Sequence, residues 1–244
     1  MPKEKLFDRP FVFPALILAC SFVLAASIAA YAVYAIRGFD STLSTTGSAT
    51  ELVKADTAKW RISIYRSAPQ SGIPGAYAQI AKDIDVVKAH FTANTIAAEK
   101  IIVGATVSDQ IYNNDSNAPQ LFNVHAEMTI ESNDVDKVEE LSHRIGVLLA
   151  KGVQVSPQQP EYYVSTLPEL RITLLGKAIA DAKARAVQLA KNGDTAVGAL
   201  KSASSGVVQV LAPNSTNVED YGSYDTTTIQ KQVMVTTRAT FYAR

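Results

Sequence analysis

Three histidines, one cysteine and scattered carboxylates bound the chemistry open to this 244-residue chain. His90, His125 and His143 lie far apart in sequence. His125-Ala126-Glu127 matches the first half of a zinc-deaminase signature, but the second half needs cysteines. The one cysteine, Cys20, lies in an apolar stretch near the N-terminus. The remainder therefore has no thiol for a disulfide, a zinc-thiolate site or a nucleophile. By alternation His125 falls on the polar face of a strand, and His90 and His143 fall at helical positions compatible with solvated faces. No Gly-x-Ser-x-Gly elbow is present. The segment 72–75 is too short for a phosphate loop and holds proline where an amide is needed.

Carboxylates gather at Asp83 and Asp85, and at Asp134, Asp136, Glu139 and Glu140. The second group lies in the first turns of a helix, where negative charge favours the dipole. The Asn113-Asn-Asp-Ser-Asn117 cluster offers oxygen ligands but lacks the glycine and terminal glutamate of a calcium loop, so it reads as a turn. Lys177, Lys183, Arg185 and Lys191 could form a basic stripe. No aromatics interleave with them, and Asp181 partly balances them, so a solvated helix face is expected and no nucleic-acid partner. We therefore expect no catalytic residue, no cofactor and no metal. The candidate site is an interface: Tyr221 and Tyr224 sit on a polar loop, residues 212–227, where tyrosine commonly anchors a partner; the alternative is a mobile solvated loop.

The elements that would carry these residues follow from hydrophobic period. Strands are predicted over residues 43–53 and 56–66, the latter with Ala58, Trp60, Ile62 and Ile64 on one face. A helix over 76–94 uses Tyr77, Ile80, Ala81, Ile84, Val87 and Phe91. Strands over 101–112 and 122–130 form an antiparallel hairpin, the second burying Val124, Ala126, Met128 and Ile130. A second helix carries Val135, Val138, Leu141, Ile145 and Leu148. The strand over 153–165 holds Pro157 and Pro160 and suits an edge. Thr166 and Glu169 form a capping box for a third helix, with Pro168 in its first turn. Its stripe is Leu170, Leu174, Leu175, Ala178, Ala182, Ala186 and Leu189, and its small alanines suit close packing on a sheet. Asn192-Gly193 is expected to supply the left-handed stop. Strands over 197–211, with Gly206 as a bulge, and 228–242 close the chain. In the last, Ile229, Val233, Val235, Ala239 and Phe241 face inward, with Gln230, Gln232, Thr236, Arg238 and Thr240 opposite.

Residues 11–36 carry no charge, and about 20 apolar residues span a bilayer as a helix. Lipid offers no partner for a free amide, so such a stretch must be helical. Lys3, Lys5 and Arg9 precede it and only Arg37 follows closely, which places the N-terminus in the cytoplasm. We read residues 1–10 as a cytoplasmic N-terminus, 11–36 as a single-pass signal anchor in lipid and 37–44 as a tether. A cleaved signal peptide ending near Ala30-Tyr31-Ala32 and a lipoprotein signal at Cys20 are the alternatives; the run is long for the first and poorly matched for the second. All three put the bulk of the chain outside the cytoplasm. Acidic and basic residues balance at 23 each, so no net field points to a charged partner.

The segment 167–193, LPELRITLLGKAIADAKARAVQLAKNG, resembles the alanine-rich helix of the SIMPL domain family of bacterial envelope proteins. So do Gln209-Val-Leu-Ala-Pro-Asn-Ser, the Asp220-Tyr-Gly loop and the strand ending Arg238-Ala-Thr-Phe-Tyr. Gly47-Ser-Ala-Thr-Glu with Asp56 looks like that family's first hairpin. The resemblance covers residues 41–244. It implies an α+β fold of two packed α/β subdomains over 45–244, no established catalytic residues, and a part in envelope integrity, stress tolerance and protein interaction. The order of the middle elements is that of a ferredoxin-like βαββαβ subdomain, inserted at about 70–165, with 45–69 and 166–244 as the remainder. The expected role is a non-enzymatic, membrane-anchored, extracytoplasmic interaction module that assembles into a homo-oligomer, with an envelope protein as a further partner. The alternative is a ligand-binding or enzymatic domain with a site between the subdomains.

Overall fold

The computed structural model describes residues 12–39, 41–112, 119–215 and 220–243. Lys3, Lys5, Arg9, the 113–117 turn cluster and residues 216–219 of the tyrosine loop lie outside them, as does the side chain of Arg37. Helix α1, Val12–Phe39, is followed by strands β1, Thr42–Lys54, and β2, Thr57–Pro69. Helix α2, Ile73–Ala93, strands β3, Ile101–Ile111, and β4, Leu121–Ser132, and helices α3, Val135–His143, and α4, Val147–Ala150, come next. Two short strands, β5, Val155–Pro157, and β6, Glu161–Tyr163, precede helix α5, Leu167–Asn192, and strands β7, Val197–Leu211, and β8, Gln230–Ala243. The fold is mixed α/β with antiparallel pairing throughout the larger sheet.

That sheet runs β3-β4-β2-β5, with β6 also on β2. Alternation decides it. Trp60, Ile62 and Ile64 pair with Ile130, Met128 and Ala126, and all six are buried. Helix α2 covers this face with Ile80, Val87 and Phe91. Trp60 meets Phe91 edge-on at 5.6 Å and donates its indole N–H to the Gln158 carbonyl, 2.7 Å away. Each fully buried Ile, Leu or Phe is worth about 2 kcal/mol of apolar transfer.

The stripe of α2 is rotated from the sequence reading. Tyr77 and Ala81 are exposed, whereas Ala76 and Asp83 are buried. Asp83 is tolerated there because Arg66 grips it with two hydrogen bonds, 2.7 and 3.0 Å, and Gln79 adds a third. Three further expectations are corrected. The second helix is broken: a turn at 144–146 separates α3 from α4. The strand over 153–165 is two three-residue pieces divided by Gln158–Pro160, where the missing proline donor ends the ladder. Strands β1 and β2 are no hairpin, because β1 joins the sheet β1-β8-β7.

Contacts group the chain into two units. One contains Met1–Ser48, Leu175–Gly206 and Thr236–Arg244, and the other Ala49–Leu174 and Val207–Val235. In the first, α5 lies on the sheet through Ala178, Ala182, Ala186 and Ala190, all buried and spaced by four. Leu189, expected in this stripe, is exposed instead, since the i+4 row runs straight to Ala190. The helix stops with Gly193 N–H donating to Leu189 and Thr195 N–H to Ala190. The left-handed residue is Asp194, φ 51°, in place of the expected Asn192-Gly193.

Gly47 of β1 sets how close α5 can come. A Cβ there would overlap the Ala178 carbonyl and sit 2.8 Å from the Ala182 Cα. Around it, Thr45 Oγ1 donates to the Ala182 carbonyl at 2.7 Å, and Ser48 N–H donates to Asp181 at 2.8 Å. Gly47→Ala is expected to lower stability by about 3 kcal/mol in thermal or urea unfolding, because backbone must move. Gly176→Ala, on the same helix with open space around it, is expected to gain up to about 1 kcal/mol.

Candidate functional site

The segment holding Tyr221 and Tyr224 is laced into the second unit from both sides. Val210 N–H donates to the Ser223 carbonyl and Asp225 N–H to the Val210 carbonyl, a one-residue parallel bridge between Val210 and Tyr224. Ser223 N–H donates to the buried Gln209 side chain at 2.8 Å. Tyr162 N–H donates to the Thr226 carbonyl. Gly222 turns the chain with φ +88°, a value that glycine adopts without penalty.

The two tyrosines are placed differently. Tyr221 is 98 % exposed. The Tyr224 hydroxyl accepts the Val164 amide at 2.9 Å, and its ring lies 5.8 Å from that of Tyr163. Tyr224 thus fixes the loop base, and Tyr221 is the side chain presented to solvent.

The base rests on an ion pair the sequence reading passed over. Lys231 is fully buried and its ammonium donates to the Asp225 carboxylate, 3.1 Å away, and to the Asp225 backbone carbonyl. Thr227 and Thr228 add amide and hydroxyl donors to the same carboxylate. Burial alone would raise the Asp225 pKa; the Thr228, Thr227 and Lys231 donors outweigh it and hold the carboxyl well below the usual range. Burial lowers the Lys231 pKa, partly offset by Asp225. A signal existed: Lys231 falls on the apolar face of β8 by the same alternation that buries Val233 and Val235.

Asp56 plays a similar part where β2 begins. It accepts the Ser165 amide and hydroxyl and the Thr57 hydroxyl. Burial pushes its pKa up, and these donors outweigh it to leave it lowered. Tyr162, beside the helix carboxylates Glu139 and Asp136, is pushed up to about 12, first by burial.

The histidines are not brought together. His143 is exposed. His90 is half-buried against Phe91 rather than fully solvated, and burial, then Lys151 and Arg144, lowers its pKa. His125 lies on the polar face of β4, as alternation requires, in a shallow depression with Ser63, Tyr65, Asn123 and Ser156. Its Nδ1 is 3.7 Å from Asp109. Among the described residues no three His, Cys, Asp or Glu side chains converge as a metal site would require.

A further exposed surface is β7. It is an edge strand, and residues 199–207 are exposed without interruption. They hold one charge, Lys201, and no proline. Helix α1 is also exposed: Phe13–Tyr34, 22 residues, meets the length and composition needed to cross a membrane, with none of it buried. At 1.5 Å per residue that is about 33 Å, the thickness of a hydrocarbon core. Ser21 and Ser27 donate to carbonyls four residues back, so their hydroxyls are satisfied without water.

The family model of SIMPL, described as a protein of unknown function (DUF541), matches residues 43–241. No curated protein matches. Asp225→Ala, which strands the buried Lys231 charge, is expected to cost about 3 kcal/mol in urea unfolding. Lys231→Met, which leaves a carboxylate still held by threonine donors, is expected to cost less.

Proposed function

The chain belongs to the SIMPL family, and on that footing we propose that it is a membrane-anchored, non-catalytic interaction and assembly module of the bacterial cell envelope. Helix α1 acts as a signal anchor with its N-terminus in the cytoplasm, and the folded units work outside it. The basic residues before the span support that orientation. The four-strand order β3-β4-β2-β5, with α2 and α3 in its crossovers, supports reading the second unit as a ferredoxin-like split βαβ.

The observation that carries the assembly reading is β7. A long edge strand offers a row of unpaired amides and carbonyls to another chain unless charge, proline or a cover blocks it. Nine exposed residues with one lysine are poorly defended. Homo-oligomerisation through this edge follows, and the exposed Tyr221 on the second unit offers a separate contact. An envelope protein donating a strand would use the same edge.

Light scattering on the detergent-solubilised full chain is expected to give a protein mass that is a multiple of 26.2 kDa. Ala203→Lys, which places a second charge on the edge, is expected to shift it to monomer. A wild-type monomer at micromolar concentration would overturn the assembly reading. For topology, protease added to intact spheroplasts is expected to digest residues after α1 without lysis. Protection until lysis would reverse the orientation.

A further inference from the structure

The first unit carries the anchor, and its charges are unlike those of the whole chain. Its strands β1, β7 and β8 and its part of α5 hold six basic side chains, Lys177, Lys183, Arg185, Lys191, Lys201 and Arg238, within the described residues. They hold two acidic ones, Asp181 and Asp194, so a surplus of four positive charges sits in a chain whose formal net charge is zero. Asp181 and Asp194 belong to α5 and its C-terminal turn.

Helix α5 covers one face of this unit's sheet. On the other, Arg238 lines a shallow depression with Thr46, Ser204, Ser205 and Thr236, over Gly206. No carboxylate lines it. A Cβ on Gly206 would overlap the Thr236 hydroxyl, so glycine keeps that hydroxyl clear. The Ser205 hydroxyl donates to the Gly206 carbonyl. A guanidinium ringed by hydroxyls and free of carboxylates is a site for a tetrahedral or planar oxyanion.

The tether says which oxyanion is at hand. Two residues separate α1 from β1, and Ala243 N–H donates to the carbonyl of the second of them, Ser41, at 2.8 Å, which ties the end of β8 to the start of β1. Thr46 is seven residues from Phe39, at most about 24 Å of extended chain. Nearer the tether, Lys201 lies 5.5 Å over the Tyr242 ring, a cation and an amphipathic aromatic of the kind found at headgroup depth.

We propose that this open sheet face docks on the membrane and that Arg238, with the hydroxyls of Thr46, Ser204 and Thr236, binds the phosphate of an anionic lipid headgroup. The proposal rests on the anchored reading of α1.

The test places the full chain in nanodiscs of phosphatidylcholine alone or with one-third phosphatidylglycerol and follows amide hydrogen exchange in β7. In the anionic discs, exchange over 199–207 is expected to slow by about fivefold, roughly the effect of one basic residue at a charged surface. The effect is expected to vanish in 0.5 M salt and in Arg238→Gln, and to survive Arg185→Gln on the helix face. Equal exchange in the two discs, an equal loss in both variants, or protection by inorganic phosphate in neutral discs without any by the anionic lipid would each overturn it. Vesicle flotation separates the two readings. A chain that fails to float refutes the anchor and this inference together, whereas a chain that floats but shows no lipid dependence refutes this inference alone.

Discussion

The contact between Gly47 and the alanine row of α5 is the constraint on which the first unit depends. A helix can lie with its backbone against a strand only where neither element carries a side chain that would hold them apart. Gly47 removes the Cβ from the strand, and Ala178, Ala182, Ala186 and Ala190 reduce the helix to methyl groups. The close approach then makes polar contacts possible that a thicker interface would forbid. Thr45 reaches a helix carbonyl in mid-helix, and Asp181 reaches back to a strand amide. The cluster around Ala182 is small, with Ala239, Phe241 and Val197, so precision of fit replaces bulk of apolar area. The second unit is built in the opposite way, with Trp60, Phe91 and rows of Ile and Val between helix and sheet.

How much of this the sequence disclosed follows from the range of each signal. Strand alternation is local, and the apolar residues of the buried faces of β2, β4 and β8 emerged correctly, without Lys231 and Thr237. Gly47 entered only as part of a motif, because nothing within ten residues of it reveals that Ala182, 135 positions away, lies against it. The burial of Asp83 and Lys231 went unread for one reason. Their positions fall on the buried faces of α2 and β8, but the partner that makes a buried charge tolerable is remote or lies across a turn. Arg66 is on another element, and Asp225 is in a loop that composition alone marks as polar. Of the candidate interface, Tyr221 was legible as an exposed aromatic, while the tethering of Tyr224 to Val164 required the fold.

The charge asymmetry was hidden by connectivity. A running tally along the chain averages to nothing, because the cationic unit is assembled from three separated segments interleaved with the more acidic one. Net charge is a statement about a surface only when the residues counted share that surface. Here the apolar helix α1, the alanine helix and the ends of three strands share one unit, and their surplus of basic groups belongs to the unit that holds α1.

The sheet edges of this chain are built in different ways. Next to β2, pairing is limited to three-residue strands ended by Pro157 and Pro160, and the Arg61 guanidinium meets the Gln158 and Glu161 side chains across that break. Proline, shortness and charge are the ordinary means of keeping an edge from recruiting another chain. The same chain leaves 199–207 without proline, unbroken and with one charge, Lys201. The opposite edge of the larger sheet, β3, is likewise long, with one charge, Asp109, and no proline, so the chain blunts the edge beside β2 and leaves β3 and β7 open.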